Sequence, residues 1–200
     1  MRSNVPSCLQ RLPYTIGWLA CVVYATIPSF WLAIHPRVAY WRSRPRSPYR
    51  LLLPLWVAMG LVLGEITSFW RTLSLYRTPW TWVPAAVLLA VAWWIYWCSG
   101  AGFSPAQLGG LPEVTSGHQE KGLAISGIRA RIRHPIYLGH LCAMMAWSIG
   151  TGLMVCYGLT AFAVVSGAMM IRLEDRELEQ RFGEAYRLYR QKVPAVLPKI

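Results

Sequence analysis

Five apolar runs, residues 14–34, 51–69, 80–98, 135–149 and 153–171, leave this chain few ways to fold. About 20 apolar residues in a row suffice to cross the roughly 30 Å hydrocarbon core of a bilayer as a helix. A helix also satisfies its own backbone where there is no water to do so, and there it tolerates a kink at a proline such as Pro28. The composition agrees. With 55% hydrophobic residues, 11 tryptophans and only 14% charged residues, the 200-residue chain is too apolar for a water-soluble domain of its size. The expected fold is all-α: a polytopic membrane bundle of about five transmembrane helices, followed by an amphipathic C-terminal helix in the cytoplasm.

A net charge of +12 is compatible with nucleic acid, an anionic membrane surface or anionic substrates as partners. The basic residues lie in short runs between apolar segments, the pattern of cytoplasmic loops, and this sets nucleic acid aside. If the spans alternate in direction, 16 lysines and arginines fall on one side and 4 on the other. That asymmetry predicts an N-terminus outside and a C-terminus in the cytoplasm, in a bacterial inner membrane or the endoplasmic reticulum. Arg2 and Arg11 before the first run resemble a signal peptide, but no small-residue cleavage site follows, so this run is expected to be retained. Two regions are expected: a three-helix membrane region over 1–98, and a loop, helical hairpin and C-terminal helix over 99–200.

Only Gly150, Thr151 and Gly152 separate the last two runs, which predicts an antiparallel hairpin. Small residues on its second leg, among them Gly158, Ala163 and Gly167, permit close helix approach. The start of the first leg and the exit of the second then meet at the cytoplasmic end. The first carries GIRARIRHPIYLG, residues 127–139, and the second LEDRELEQRFG, residues 173–183. His134 precedes a proline at the first helical position, where backbone N–H groups are unpaired and an anion is welcome. Tyr137 lies one turn deeper, where its hydroxyl needs a partner. Glu174, nearest the membrane and opposite His134, suits a cationic group. Arg129 and Arg131 fit a collar for lipid headgroups as well as a ligand site. Glu177, Glu179 and Glu184 read as charge pairs on a solvated helix surface. Leu173, Leu178, Phe182, Tyr186 and Tyr189 recur at helical spacing as far as Pro194, which predicts a helix carried through to that point. His140 either lines a pocket or bonds across helices, and Glu65 is expected in an interfacial or interhelical hydrogen bond. Cys8, Cys21, Cys98, Cys142 and Cys156 lack ligand spacing and read as packing residues, so neither disulfides nor a metal are expected.

SGIRARIRHPIYLG, an apolar hairpin, and then EDRELEQRFGEAYRLYRQKVPAVLP resemble the isoprenylcysteine carboxyl methyltransferase family, within the wider group that includes phospholipid methyltransferases. The ordered set RHPxYxG, acidic pair, FGxxYxxY and VPxxLP carries the resemblance, over the C-terminal region only. It implies S-adenosylmethionine as cofactor, with contacts from Lys121, Gly122, Leu123 and Ala124, the methionine part held by His134, Pro135, Ile136 and Tyr137, and its amino group met by Glu174. Arg133, Arg172 and Glu174 are the catalytic candidates. The implied reaction is O-methylation of a carboxylate on a prenylated or other lipid-like substrate, small molecule or protein, among membrane lipids. A carboxylate is already ionised at neutral pH and needs no general base. The alternatives are N-methylation of a phospholipid amine and a non-catalytic protein that binds anionic lipid. Where the family carries an arginine four residues before the first acid, this chain has Met170. Arg172, two residues before Glu174, points about 200° away from it around a helix.

Overall fold

The computed structural model describes residues 8–37, 40–41, 43, 49–100, 122–123 and 125–197, with side chains from residue 12 onward. Helix α1, Cys8–Ile34, ends in a short 3₁₀ turn at His35–Arg37. Helix α2 is Tyr49–Ser68, and a 3₁₀ turn at Pro79–Thr81 leads into α3, Trp82–Gly100. After a further turn at Gly127–Ala130 come α4, Pro135–Thr151, α5, Met154–Phe182, and α6, Glu184–Lys192. Among the described residues the only strand-like pairing is an isolated bridge between Ser74 and Leu153.

Among the described residues, four helical segments are long and apolar enough to cross a membrane: Leu12–Arg37, Tyr49–Ser68, Pro79–Gly100 and Met154–Phe182. The sequence led us to expect about five. The difference lies in α4, whose 17 residues reach about 25 Å at 1.5 Å per residue, short of the roughly 30 Å core. Its partner α5 has 29 residues and reaches about 43 Å, longer than that core requires.

The core forms where α1 meets the hairpin. Trp18, Cys21, Val22 and Ala25 of α1 pack on Met144 of α4 and on Val155, Cys156, Leu159 and Ala163 of α5. The two legs are joined by Ser148 Oγ and Thr160 Oγ1, 3.1 Å apart, and α3 lies along α4. Helix α2 is held to α1 by two indoles: Trp56 Nε1 donates to Thr26 Oγ1 at 2.9 Å and Trp18 Nε1 to Thr67 Oγ1 at 3.0 Å. Its remaining faces leave Leu51, Leu55, Leu61, Val62 and Ile66 exposed. A patch of this kind would drive association in water, whereas lipid tails are as apolar as leucine. Glu65 is exposed near the end of α2, and among the described residues its side chain makes no interhelical hydrogen bond.

At the far end of the hairpin the connection between α2 and α3 is tied down. Leu75 N–H donates to Gly152 O at 2.8 Å, Met154 N–H to Leu73 O at 3.0 Å, and Tyr76 hydroxyl to Ile149 O at 3.1 Å. Gly152 caps α4 with φ of 65°, a left-handed conformation that glycine adopts without penalty, and a Cβ there would collide with the Tyr76 backbone carbonyl. Gly152→Ala is therefore expected to destabilise the protein by about 2 kcal/mol or more, read as a lower thermal midpoint in detergent. An unchanged midpoint would show that the hairpin end is not held in this way.

Candidate functional site

Helix α4 begins where Pro135 occupies its first turn and His134 caps it from outside, with φ of −117° and ψ of 63°. Because α5 runs antiparallel to α4, its far end returns to the same place. His134 Nε2 lies 2.9 Å from Asp175 Oδ1, and Nδ1 lies 3.2 Å from Glu174 Oε2, with the imidazole 3% exposed. A ring nitrogen facing a carboxylate must carry a proton, and here both do, so the ring is an imidazolium. Burial pulls its pKa down, but the nearby charge of Glu174 and the hydrogen bond and charge of Asp175 outweigh burial and hold it at about 9, against an ordinary 6.5. Burial in turn pushes both acids up, and His134 reverses this. Asp175, helped by Tyr186 and Arg133, falls to about 2, and Glu174 also lies below the usual carboxylate range.

Asp175 is the hub of the cluster. Arg133 Nη2 lies 2.8 Å from its Oδ2, and the Tyr186 hydroxyl donates to its Oδ1. Tyr186 is 11 residues further on, which in a straight helix would place it about 16 Å away along the axis. The continuous helix expected from the spacing is not what forms. Gly183, with φ of 57° and ψ of −129°, breaks it in a backbone region open mainly to glycine, and α6 folds back along α5. This reversal lets Arg187 Nε reach Glu179 Oε1 at 2.7 Å and buries Tyr186 against Asp175. It also brings the chain after α6 alongside the RHP segment. Arg133 N–H donates to Pro194 O and His134 N–H to Ala195 O, each at 2.9 Å, while Arg133 Nη1 donates to Arg190 O at 3.1 Å. Tyr189 hydroxyl donates to Arg129 O at 2.6 Å. The tyrosines of FGxxYxxY and the carbonyls of the VPxxLP segment are thus the scaffold that holds the first motif.

Of the residues singled out from the sequence, Arg133, His134, Pro135 and Glu174 meet at this point. Glu174 Oε2 is buried and, although close to His134, has no hydrogen-bond partner among the described residues. Tyr137, on the next turn with half-buried Ile136 beside it, donates its hydroxyl to Met170 Sδ at 3.0 Å. Arg172 is exposed and makes no hydrogen bond or ion pair among the described residues. Gly122 is exposed and Leu123 half-buried, whereas Lys121 and Ala124 lie outside the described residues.

Two features escape the sequence reading, and a third, His140, is left open by it. Asp175 proves more central than Glu174. His35, at the end of α1, is buried and places Nδ1 3.0 Å from Glu177 Oε2, stacked on Trp31. This overturns the expectation of a solvated Glu177, because the first helix ends against that face of α5 and excludes water from it. Deeper in the bundle, His140 is ringed by Tyr24, Tyr96 and Tyr137 at centroid distances of 5.0, 5.6 and 6.1 Å. Its buried Nδ1 and the buried Tyr96 hydroxyl have no hydrogen-bond partner among the described residues.

Known proteins share part of this chain. It is 40% identical over 81 residues to protein-S-isoprenylcysteine O-methyltransferase B of Arabidopsis thaliana, covering 38% of this chain and 39% of that protein. It is 38% identical over 68 residues to methanethiol S-methyltransferase 1 of Bradyrhizobium diazoefficiens, 34% of this chain and 23% of that protein. To the protein-S-isoprenylcysteine O-methyltransferase of Homo sapiens it is 37% identical over 83 residues, 39% of this chain and 28% of that protein. These relatives support the resemblance to the isoprenylcysteine carboxyl methyltransferase family. The matches span about two fifths or less of the curated relatives' own length. No family model matches the chain, and no solved structure matches it significantly.

The cluster carries its own pH signature. Since the pKa of His134 is raised on folding, its stabilisation is complete below about pH 6.5 and lost as the pH rises through about 9. The pKa of Asp175 is depressed, so its contribution is complete above about pH 3.8 and lost as the pH falls towards 2. The thermal midpoint is expected to be highest between these limits and to decline on both sides; a flat profile through pH 9 would refute the raised imidazole. Removing the hub by Asp175→Ala leaves Arg133 and His134 buried without it. We expect a loss of about 3–5 kcal/mol in denaturant unfolding, whereas Glu179→Ala, in an exposed pair, leaves the midpoint unmoved.

Proposed function

We propose that the chain is an integral membrane methyltransferase that uses S-adenosylmethionine and acts on a lipid-like acceptor. Its cofactor site is the cytoplasmic end of a five-span bundle in which α4 is the short span. The observation that carries this reading is the buried, hydrogen-bond-deficient Glu174 Oε2 beside the opening turn of α4. S-adenosylmethionine presents an ammonium, a carboxylate and a sulfonium, and these residues fit two of the three. Glu174 suits the ammonium. The unpaired N–H groups of the first turn, after Pro135 and around Ile136 and Tyr137, suit the carboxylate. Lys121, Gly122, Leu123 and Ala124 are the further contacts we assign from the preceding loop. When bound, the cofactor supplies a methyl group on a positively charged sulfur.

The protein's part is to hold, align and keep dry. His134 fixes Glu174 from one side, while Asp175, braced by Arg133 and Tyr186, fixes His134 from the other. Arg133 is committed to Asp175 and to carbonyls of the C-terminal segment, so we assign it to positioning rather than to contact with the acceptor. Exposed Arg172 is one cation that could meet a carboxylate at the surface, on a face of α5 about 200° from Glu174. A prenylcysteine-like carboxylate is the acceptor class that the motif resemblance favours. A second reading, methylation of a lipid amine, gains from His140: a neutral amine must shed a proton, and the Nδ1 of this ring is buried without a partner.

Calorimetric titration of the detergent-solubilised protein with S-adenosylhomocysteine tests the cofactor assignment. We expect His134→Ala and Glu174→Ala each to weaken binding about tenfold or more, equivalent to about 1.4 kcal/mol, and Glu179→Ala to leave it unchanged. No binding to the wild type would reject the methyltransferase reading, and equal behaviour of the three variants would reject the site. Labelled donor offered with N-acetyl-S-farnesylcysteine or phosphatidylethanolamine then separates the acceptors by which one gains the label.

A further inference from the structure

We propose that the opposite end of the bundle holds a second site, which binds the phosphoryl headgroup of an anionic lipid. A cavity of about 770 Å³ lies there between the start of α1 and the connection from α2 to α3, lined in part by Tyr14, Arg71, Thr72, Arg77, Thr78 and Trp82. Its size is that of a small-molecule site, about 300–1,000 Å³. It lies at the hairpin turn beside Leu153, a full length of α4 away from His134, so it is separate from the methyl-transfer site and does not depend on that assignment.

Both cations are held in place by their surroundings. The Arg71 guanidinium sits 5.6 Å from the Trp18 ring centroid and that of Arg77 5.8 Å from Tyr14. Arg77 Nε also donates to Ser74 Oγ at 3.0 Å. A ring against the face of a guanidinium leaves donors at its edge free for oxygen ligands. Neither arginine forms an ion pair with a carboxylate among the described residues, so two like charges share one cavity without a countercharge there. The connection that carries them is fixed to the hairpin by backbone bonds at Leu73 and Leu75 and by the Tyr76 hydroxyl. It is therefore a preformed clamp and not a pair of side chains trailing at an interface.

Two planar forks and the hydroxyls of Thr72 and Thr78 match the oxygens of a phosphoryl group. Apart from Thr15, the rest of the wall, including Pro13, Trp82 and Leu153, is largely apolar and larger than a free phosphate requires. Indoles also prefer the headgroup level of a bilayer, and exposed Leu73, Leu75 and Trp80 flank the clamp on its lipid side. A lipid headgroup satisfies both halves of this lining, and inorganic phosphate only one.

Native mass spectrometry of the full chain in detergent, titrated with phosphatidylglycerol or phosphatidylcholine, tests the site. Phosphatidylglycerol is expected to bind about tenfold more tightly, and the double variant Arg71→Gln, Arg77→Gln to lose about that factor. Arg50→Gln, an exposed arginine at the other end of the bundle, is expected to bind as the wild type does. If the double variant fails to fold, each single variant is expected to weaken phosphatidylglycerol alone, by about threefold. Binding that is equal in all variants, or equal for the two lipids, would overturn the proposal. Full displacement of the lipid by millimolar inorganic phosphate would overturn its assignment to a lipid headgroup.

Discussion

The site rests on a charged ring held out of water between two acids. His134 carries its proton because Glu174 and Asp175 face its two nitrogens, and they keep theirs off because of it. Removing the ring would leave two buried acids with only Arg133 to balance them, the costly outcome for groups in this setting. The arrangement therefore acts as a unit, and its neighbours follow from it. Arg133 balances the second acid, and Tyr186, brought back by the reversal of α6, fills a further lone pair. An ionic centre at the edge of an apolar bundle also accords with an α5 longer than the hydrocarbon requires.

The hairpin was legible in the sequence because a three-residue gap between two apolar runs allows little else, and its antiparallel legs do bring His134 and Glu174 together. What could not be read is what depends on one backbone angle or on distant contacts. Tyr186 has the right spacing for the lipid-proximal face of a straight helix, and only the positive φ of Gly183 turns it onto Asp175 instead. His35 and Glu177 are 142 residues apart, and neither carries a local signal of the other. The short α4 was countable as a span only from its apolar character, since its length is set at both ends by caps, Pro135 and Gly152.

These long-range contacts tie the N-terminal helices to the hairpin. The end of α1 seals one side of α5 through His35, its middle supplies half of the core, and its start walls the cavity at the opposite end. Residues without a recognisable motif thus fix the relative position of those that have one. A span that merely filled membrane would not need a buried histidine at its tip, and burying one is tolerable only with a partner such as Glu177.

In the function proposed here, the acceptor end of the site would differ in character from the cofactor end. Around His134 every charge has an opposite, whereas one and two turns deeper the lining becomes neutral: Tyr137 bonded to the sulfur of Met170, then His140 among three tyrosines. A carboxylate drawn to that depth would find hydroxyls and an imidazole but no cation among the described residues, and an unpaired charge is expensive there. A carboxylate acceptor would have to stay near the surface, within reach of Arg172, with only its apolar tail going deeper. A neutral amine faces no such restriction. The depth at which the methyl group is transferred therefore decides between the two acceptor classes, and the polarity of this lining changes over little more than one turn of α4.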